Sequence, residues 1–481
     1  MNKEIEAFIN DFVTDLAANN AAIFAGAGMS KAAGYVDWQE LMADIADELG
    51  LEIDKESDLI SLAQFHVNEK KSRAKLNRKI IEEFVDENEL TDNHRILARL
   101  PISTFWTTNY DKLLENALKE ANKRADVKYE VEQIFNTHPR RDAVIYKMHG
   151  DVDHPGKAVL AKQDYERYYS THEPFISALT GDLTTKTFLF IGFSFTDPNL
   201  DYVLSRINVK HREEKRDHYF FIKRPKLGDK RSETQADLDY NLRRQQLVIN
   251  ELRRYGIQAL VIDDYPQITE VLTEIENRFR KKTIFISGSA EEYGQWERGE
   301  AQSFIHKLSK SIVSSNFRIV NGFGWGVGSA VINGALDAVY EKPNKFSEDQ
   351  LIMKPFPQFE TGEKKLPELW KEYRQRMIKH AGIAIFIFGN KLSADKKDVV
   401  LADGVKKEFE IAIENGLLPI PVSATGYMAQ EIYGEMSKDF KSYFPNNQEV
   451  IPMLEELSKF KQQDIDKIIS KIIQIIKGVN K

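Results

Sequence analysis

The chain has 481 residues, 42% hydrophobic and 11% aromatic, enough for two or three domains with ordinary cores. A net charge of −7 argues against a broad basic footprint for nucleic acid, although 67 lysines and arginines leave local basic sites open. With no cysteine there can be no disulfide, no thiol nucleophile and no cysteine zinc site. No cluster of metal-ligand residues stands out, so no metal is expected.

The first residues, Met1-Asn-Lys-Glu-Ile-Glu6, are charged and hold no apolar signal core. No apolar run approaches the roughly 18 residues that a membrane span needs. The expectation is a cytoplasmic chain without membrane association. Ile5, Phe8, Ile9, Phe12, Val13 and Leu16 recur at helical spacing, so residues 3–18 read as an amphipathic helix packed on a sheet or on another subunit.

Ala21-Ala-Ile-Phe-Ala-Gly-Ala-Gly-Met-Ser30 runs from a continuous apolar strand into a glycine turn. Glycine there permits a positive φ and close approach of backbone N–H groups to a ligand, and Ser30 is placed to open a helix. Residues 38–49 read as a helix closed by Gly50, and 55–100 as helical with one buried face. Strands are expected at 102–106, 143–148, 187–191, 219–222 and 259–262, with helices at 112–124, 163–180, from 200, and at 266–281. The charged segment 226–255 reads as a long exposed helix. The pattern restarts after Lys282, which puts a domain boundary between about 275 and 283: residues 1–280 and 281–481. The second half has strands at 283–287, 318–320, 351–354, 383–388 and 418–422. It also has a helix at 404–414 and a helix carrying Trp370, Tyr373, Arg374 and Arg376.

Four strand-like runs of the first half end in Gly26-Ala-Gly28, Thr107-Thr-Asn-Tyr-Asp111, Lys147-Met-His-Gly-Asp151 and Ile191-Gly-Phe-Ser-Phe-Thr-Asp197. Glycine or polar turns at several strand ends mark one ligand crevice in an open α/β sheet. Taken singly, each has a plain alternative: a strand–turn–helix corner, a turn cap at Asn109, a buried satisfied histidine at 149, and a helix start at Asp197-Pro198. Together, in this order, they resemble a sirtuin-type NAD-binding domain. The fold implied is Rossmann-like with a parallel sheet.

That resemblance implies that Ala25, Gly26, Ala27, Gly28 and Ser30 hold the pyrophosphate of NAD+. Asp111 would lie at the ribose or nicotinamide, and Gly192 and Ser194 at the adenosine side. Asn109 and His149 are then the catalytic pair: Asn109 holds a water or ribose hydroxyl, and His149 accepts a proton near neutral pH. Sirtuin deacylases carry a four-cysteine zinc module that this chain cannot build. Water is therefore the expected acceptor and NAD+ glycohydrolysis to nicotinamide and ADP-ribose the expected reaction. A protein deacylase or ADP-ribosyltransferase, and a non-catalytic NAD sensor, remain as alternatives.

The second half repeats the strand–glycine–helix order. Ser287-Gly-Ser289 and Asn321-Gly-Phe-Gly-Trp-Gly-Val-Gly328 are its polar and glycine turns. This half is similar to the SLOG family, a second Rossmann-like fold that binds or cleaves nucleotide N-glycosides. The P-G-G-x-G-T-x-x-E signature of its enzymes is not intact at Phe388-Gly-Asn-Lys391, which favours sensing. The ligand set is read as Ser287, Gly288, Ser289, Gly322, Gly324, Gly326, Arg374, Lys391 and Glu408. Arg374 and Lys391 would meet phosphates and Glu408 ribose hydroxyls. Each has a plain alternative on a solvated face. The fusion resembles the effector family of Thoeris antiphage defence. By resemblance, the activator is a cyclic ADP-ribose isomer made by a TIR-domain partner, and the assembly is a homotetramer or larger.

Overall fold

A computed structural model describes residues 2–86, 88–195, 197–210, 216–360 and 362–480. The chain divides into two units, Met1–Glu276 and Asn277–Lys481.

The first unit is built on seven parallel strands: β1 (Ala21–Ala25), β2 (Thr104–Thr107), β3 (Ala125–Lys128), β4 (Ala143–Lys147), β5 (Thr187–Ile191), β6 (His218–Lys223) and β7 (Ile257–Ile262). Their order is β3-β4-β2-β1-β5-β6-β7. All five residues of β1 and of β5 are buried, as central strands covered on both faces require. The chain leaves β1 toward β2 and later returns to β5 on the other side. The strand order therefore reverses at β1, and this is where an open sheet forms its ligand crevice. The N-terminal helix Lys3–Ala17 is capped by the Asn2 side chain and covers β6. Its Phe8 ring lies 4.6 Å from that of Tyr219 and meets Phe221 edge-on, so its apolar stripe packs on its own sheet.

The second unit holds five parallel strands: β8 (Thr283–Ser289), β9 (Arg318–Asn321), β10 (Leu351–Met353), β11 (Ile383–Phe388) and, after a hairpin of β12 (Asn390–Leu392) and β13 (Val399–Leu401), β14 (Leu418–Pro421). The order β10-β9-β8-β11-β14 reverses at β8. Helix Ile465–Gly478 buries Ile468, Ile469, Ile472, Ile475 and Ile476 against this unit.

Several elements differ from the sequence reading. The span 163–180 is two helices, Lys162–Thr171 and Glu173–Thr185, broken at His172 with Pro174 in the next first turn. The span 55–100 holds helices Leu59–Lys70, Ala74–Phe84 and Asp92–Arg99. In 226–255 only Gln235–Arg254 is helical, started by a capping box from Thr234 and Asp237.

Candidate active site and signal site

In the first unit, backbone register brings the four motifs to one level. Ala25 pairs with Thr107 and with Ile191, and Thr107 pairs with Lys147. The next residues on each strand leave the sheet in a single row. Asn109 and His149 each sit two residues beyond the paired Thr107 and Lys147, on adjacent strand tips about 4.8 Å apart.

Around Asn109 the side chains form one network. The Asn109 amide donates to Ser30 Oγ at 2.8 Å and to the Gly26 carbonyl at 3.1 Å. Ser30 Oγ in turn donates to Asp111 Oδ2 at 2.6 Å, while Asp111 Oδ1 accepts from the Leu113 N–H at 3.0 Å. Asp111 and Ser30 are buried, so both act here as struts between the β1 and β2 loops. A narrow cleft opens beside them, lined by Ala27, Ser30, Thr108, Asn109, Tyr110 and Asp111. Val36, Asp37, Trp38, Leu41 and Phe84 complete its wall. Sequence reasoning missed these five, because they come from the loop at Val36 and Asp37 and from helices Trp38–Glu48 and Ala74–Phe84, outside any strand-end motif.

The glycines act differently from the sequence expectation. Gly26 is extended at φ −111°, and the positive φ of 67° belongs to Gly192. Gly26 N–H donates to the Ile191 carbonyl and Gly28 N–H to the Gly192 carbonyl, both at 2.9 Å. In this conformation those two amides join the β1 loop to the β5 loop rather than pointing free. Ser30 does not open a helix but lies inside the short helix Ala27–Lys31. A Cβ on Gly26 would sit 2.4 Å from the Gly192 oxygen and 2.8 Å from the Phe193 Cα, both backbone atoms. Gly26→Ala is therefore expected to force the two loops apart, at a cost of about 1–3 kcal/mol. Thermal unfolding of the first unit measures this, and an unchanged midpoint would show that the loops yield freely.

His149 is almost fully buried. Its Nε2 lies 3.0 Å from Asp197 Oδ2, and its ring meets Tyr165 edge-on at 5.4 Å. The nitrogen does not point along the line to the carboxylate, so the two groups are in contact without a linear hydrogen bond. His149 Nδ1 has no hydrogen-bond partner among the described residues. Asp197 is buried, which pushes its carboxyl upward, but His149 and two N–H donors outweigh this and leave it below the usual carboxylate range. Ser194 lies on the exposed part of the same loop.

Beneath His149, Lys147 is wholly buried. Its ammonium donates to Asp151 Oδ2 at 2.5 Å, to the carbonyls of Asp111 and Tyr110 at 2.6 and 3.1 Å, and to Glu115 at 3.1 Å. Burial lowers the Lys147 pKa, yet Glu115 and Asp151 leave it raised overall. Burial raises the carboxyl of Glu115. No sequence signal marked Lys147, which sits in a strand register otherwise filled by apolar residues.

In the second unit Ser287 Oγ donates to Glu408 Oε2 at 2.6 Å, and Arg374 Nε lies 3.4 Å from Glu408 Oε1. The Arg374 guanidinium sits over the Phe356 ring at 4.9 Å. Glu408 is buried, and burial raises its pKa against the pull of Ser287 and Arg374. Lys391 pairs with Asp403 on the neighbouring helix. The glycine loop is pinned in place: a Cβ on Gly324 would meet the Gly288 oxygen, and one on Gly326 the Ala290 oxygen, each at 2.0 Å. A Cβ on Gly322 would meet the Phe356 ring at 2.8 Å. Ser289 Oγ donates to the Asn390 carbonyl at 2.9 Å, joining the end of β8 to the start of β12. Ser287, Arg374 and Glu408 thus form one cluster, and Gly288, Ser289, Gly324 and Gly326 one composite loop. Phe323 and Trp325 project from that loop into solvent.

Among the described residues no group of three or more His, Asp or Glu side chains is gathered as for a metal ion. No helix among them is long and apolar enough to cross a membrane.

Two Rossmann-like units, each with its loops gathered at a strand reversal, define the class: a SIR2-like domain joined to a SLOG domain. Residues 103–258 match the SIR2-like domain family, and residues 267–479 match the Sir2- and TIR-associating SLOG family. Over their full length, "NAD(+) hydrolase ThsA" of Bacillus cereus (strain MSX-D12) is 48% identical across 99% of this chain and 98% of its own. The protein of the same name from Acinetobacter baumannii (strain 532279) is 43% identical across 98% and 99%, and that from Cytobacillus dafuensis 44% across 99% and 97%. The chain belongs to the ThsA family of NAD(+) hydrolases.

Proposed function

We propose that this chain hydrolyses NAD+ at the crevice where β1, β2, β4 and β5 end, and that a cyclic ADP-ribose isomer bound to the SLOG domain switches the reaction on. The observation that carries the catalytic reading is the shared register of Ala25, Thr107, Lys147 and Ile191, which brings Asn109 and His149 to neighbouring strand tips. The bond from ribose C1′ to nicotinamide breaks, and its electron pair leaves with the nicotinamide. Water adds at C1′, and its proton passes to His149. Asn109 holds the ribose or the water by hydrogen bonds, because an oxocarbenium-like transition state needs orientation and shielding above all.

The regulatory reading rests on the Ser287–Glu408–Arg374 cluster and on the family description, which associates this SLOG type with Sir2 and TIR domains. An always-active NAD+ hydrolase would empty its own cell. A two-state switch meets that need, and a signal can shift such a switch only by binding one state more tightly than the other. In this reading a TIR-domain partner makes the signal, NAD+ depletion halts infection within the cytoplasm, and the chain works as a homotetramer or larger assembly.

The test is NAD+ consumption by the purified chain with and without cyclic ADP-ribose isomers, beside His149→Ala. Signal-dependent loss of NAD+, with release of nicotinamide and ADP-ribose, is the expected result. It should fall by about 10²-fold or more in the variant. Undiminished turnover in a folded His149→Ala protein would remove His149 from the mechanism. Turnover that ignores every isomer would remove the switch.

A further inference from the structure

The sequence reads Asp197-Pro198 as a helix start, and Asp197 does cap the helix Pro198–Lys210. Its Oδ1 accepts from the Asn199 and Leu200 N–H groups, each at 3.0 Å. That occupies one carboxylate oxygen. The other, Oδ2, faces His149 Nε2 at 3.0 Å in an almost fully buried site. A carboxylate anchored by a helix start cannot swing away to solvent, so its free oxygen is fixed at the ring. The opposite ring nitrogen, Nδ1, is buried and has no partner among the described residues.

We propose that Asp197 is the positioning residue of His149: it holds the Nε2–H, leaves the Nδ1 lone pair available to take the proton of the attacking water, and stabilises the imidazolium that results. The inference rests on the reading of His149 as the base. A carboxylate acting through an imidazole in this way sets both tautomer and ring orientation. The misaligned Nε2 contact becomes linear when substrate closes on the site, as catalytic hydrogen bonds in ligand-free enzymes commonly do.

The remaining groups around the pair do not supply this charge. Tyr165 meets the imidazole edge-on. Tyr168 donates its hydroxyl to the Met148 carbonyl at 3.1 Å, and Tyr110 donates to the Val159 carbonyl at 2.8 Å. Burial raises all three phenols, so they stay neutral. His172 is pushed down by burial and by His149, and Asp164 is paired with Arg73 at 2.6 Å. Tyr169 is raised by burial. Asp197 is the anion in contact with the ring.

The experiment is the pH profile of signal-activated NAD+ hydrolysis by full-length Asp197→Asn. Asparagine keeps the helix cap but loses the charge. Without the anion the imidazolium is less stable, so the acid limb of kcat should move down by about one pH unit. The plateau kcat should fall about 10- to 100-fold, with KM little changed and the thermal midpoint within about 3 °C of the parent, because the cap survives. A merely structural Asp197 would leave the acid limb where it is.

A folded Asp197→Asn with the parent's profile and rate would overturn the inference, and so would one that hydrolyses NAD+ faster than the parent without signal, since Asp197 would then be a restraint on His149. Should His149→Ala stay active, the reading of His149 itself fails. If His149→Ala is dead and Asp197→Asn behaves as the parent, only the positioning role fails.

Discussion

Lys147→Met is expected to destabilise the first unit by about 3–5 kcal/mol, because removing one partner of a buried ionic cluster leaves the others uncompensated. Asp151 and Glu115 would lose the ammonium they share, and the carbonyls of Tyr110 and Asp111 would lose a donor. Methionine fills nearly the same volume, so the loss reports charge and hydrogen bonding rather than a cavity. In a unit of this size the thermal midpoint should fall by roughly 6–15 °C.

The site should suffer too, since the ammonium ties the loop after Asn109 to the strand that carries His149. NAD+ turnover should therefore drop even at temperatures where the variant stays folded. The pH dependence follows from the raised Lys147 pKa. A raised pKa contributes stability that is fully present below about 10.4, the ordinary lysine value, and is lost only as pH climbs through the folded value above it. The cluster should thus support the fold across the whole neutral range. Adding Asp151→Asn to Lys147→Met should recover part of the loss, because one buried charge is removed while the side chain keeps its acceptor for the Asp153 N–H. A single variant as stable as the parent would show that water already reaches the cluster.

The gathering of the motifs at one edge of each sheet was legible in sequence because it depends on strand ends. β1 and β5 are unbroken apolar runs, and the polar or glycine residues that follow them have nowhere to go but the sheet edge. Burial adds contacts that the sequence did not mark. Lys147 drew no reading inside the strand at 143–148, yet it is the cation that the loops after β2 and β4 share. Glu408, read as a ribose contact, is also engaged by Ser287 and Arg374.

The glycines at 26 and 28 suggested a phosphate cradle; in the fold they also pack on the Gly192 backbone, which leaves no room for a side chain at 26 and little at 28. Strand β3 was missed because four residues including Asp126 and Lys128 do not read as a strand. In the fold those two charges pair at 2.8 Å and are buried together at the sheet edge. Beyond residue 422 no element was assigned, although the isoleucines of 465–478 repeat at helical spacing and do form a helix.

Arg374→Ala is expected to abolish signal activation while sparing the catalytic crevice, raising the signal concentration for half-activation by about 100-fold or more if the guanidinium meets phosphate in two hydrogen bonds. The geometry suits that task. Glu408 holds the Nε edge, Phe356 supports the guanidinium plane, and a Cβ on Gly404 would lie 3.0 Å from Nη2. A side chain at 404 would crowd that edge. Arg374→Lys should rescue little, since an ammonium neither forks onto a phosphate nor stacks on the ring.

The alanine variant also leaves Glu408 buried without its cation, and burial already favours its neutral form. Glu408→Gln separates the two effects: it removes the negative charge, retains an acceptor for Ser287 and leaves the guanidinium free to bind. If Glu408 only positions Arg374, the glutamine variant should keep activation within about tenfold of the parent. Should Glu408 itself accept from the ribose of the signal, glutamine should weaken binding nearly as far as Arg374→Ala does. Calorimetric titration of each variant with the activating isomer, beside NAD+ turnover, distinguishes these outcomes. Unchanged affinity and activation in Arg374→Ala would show that the signal binds elsewhere on the SLOG domain.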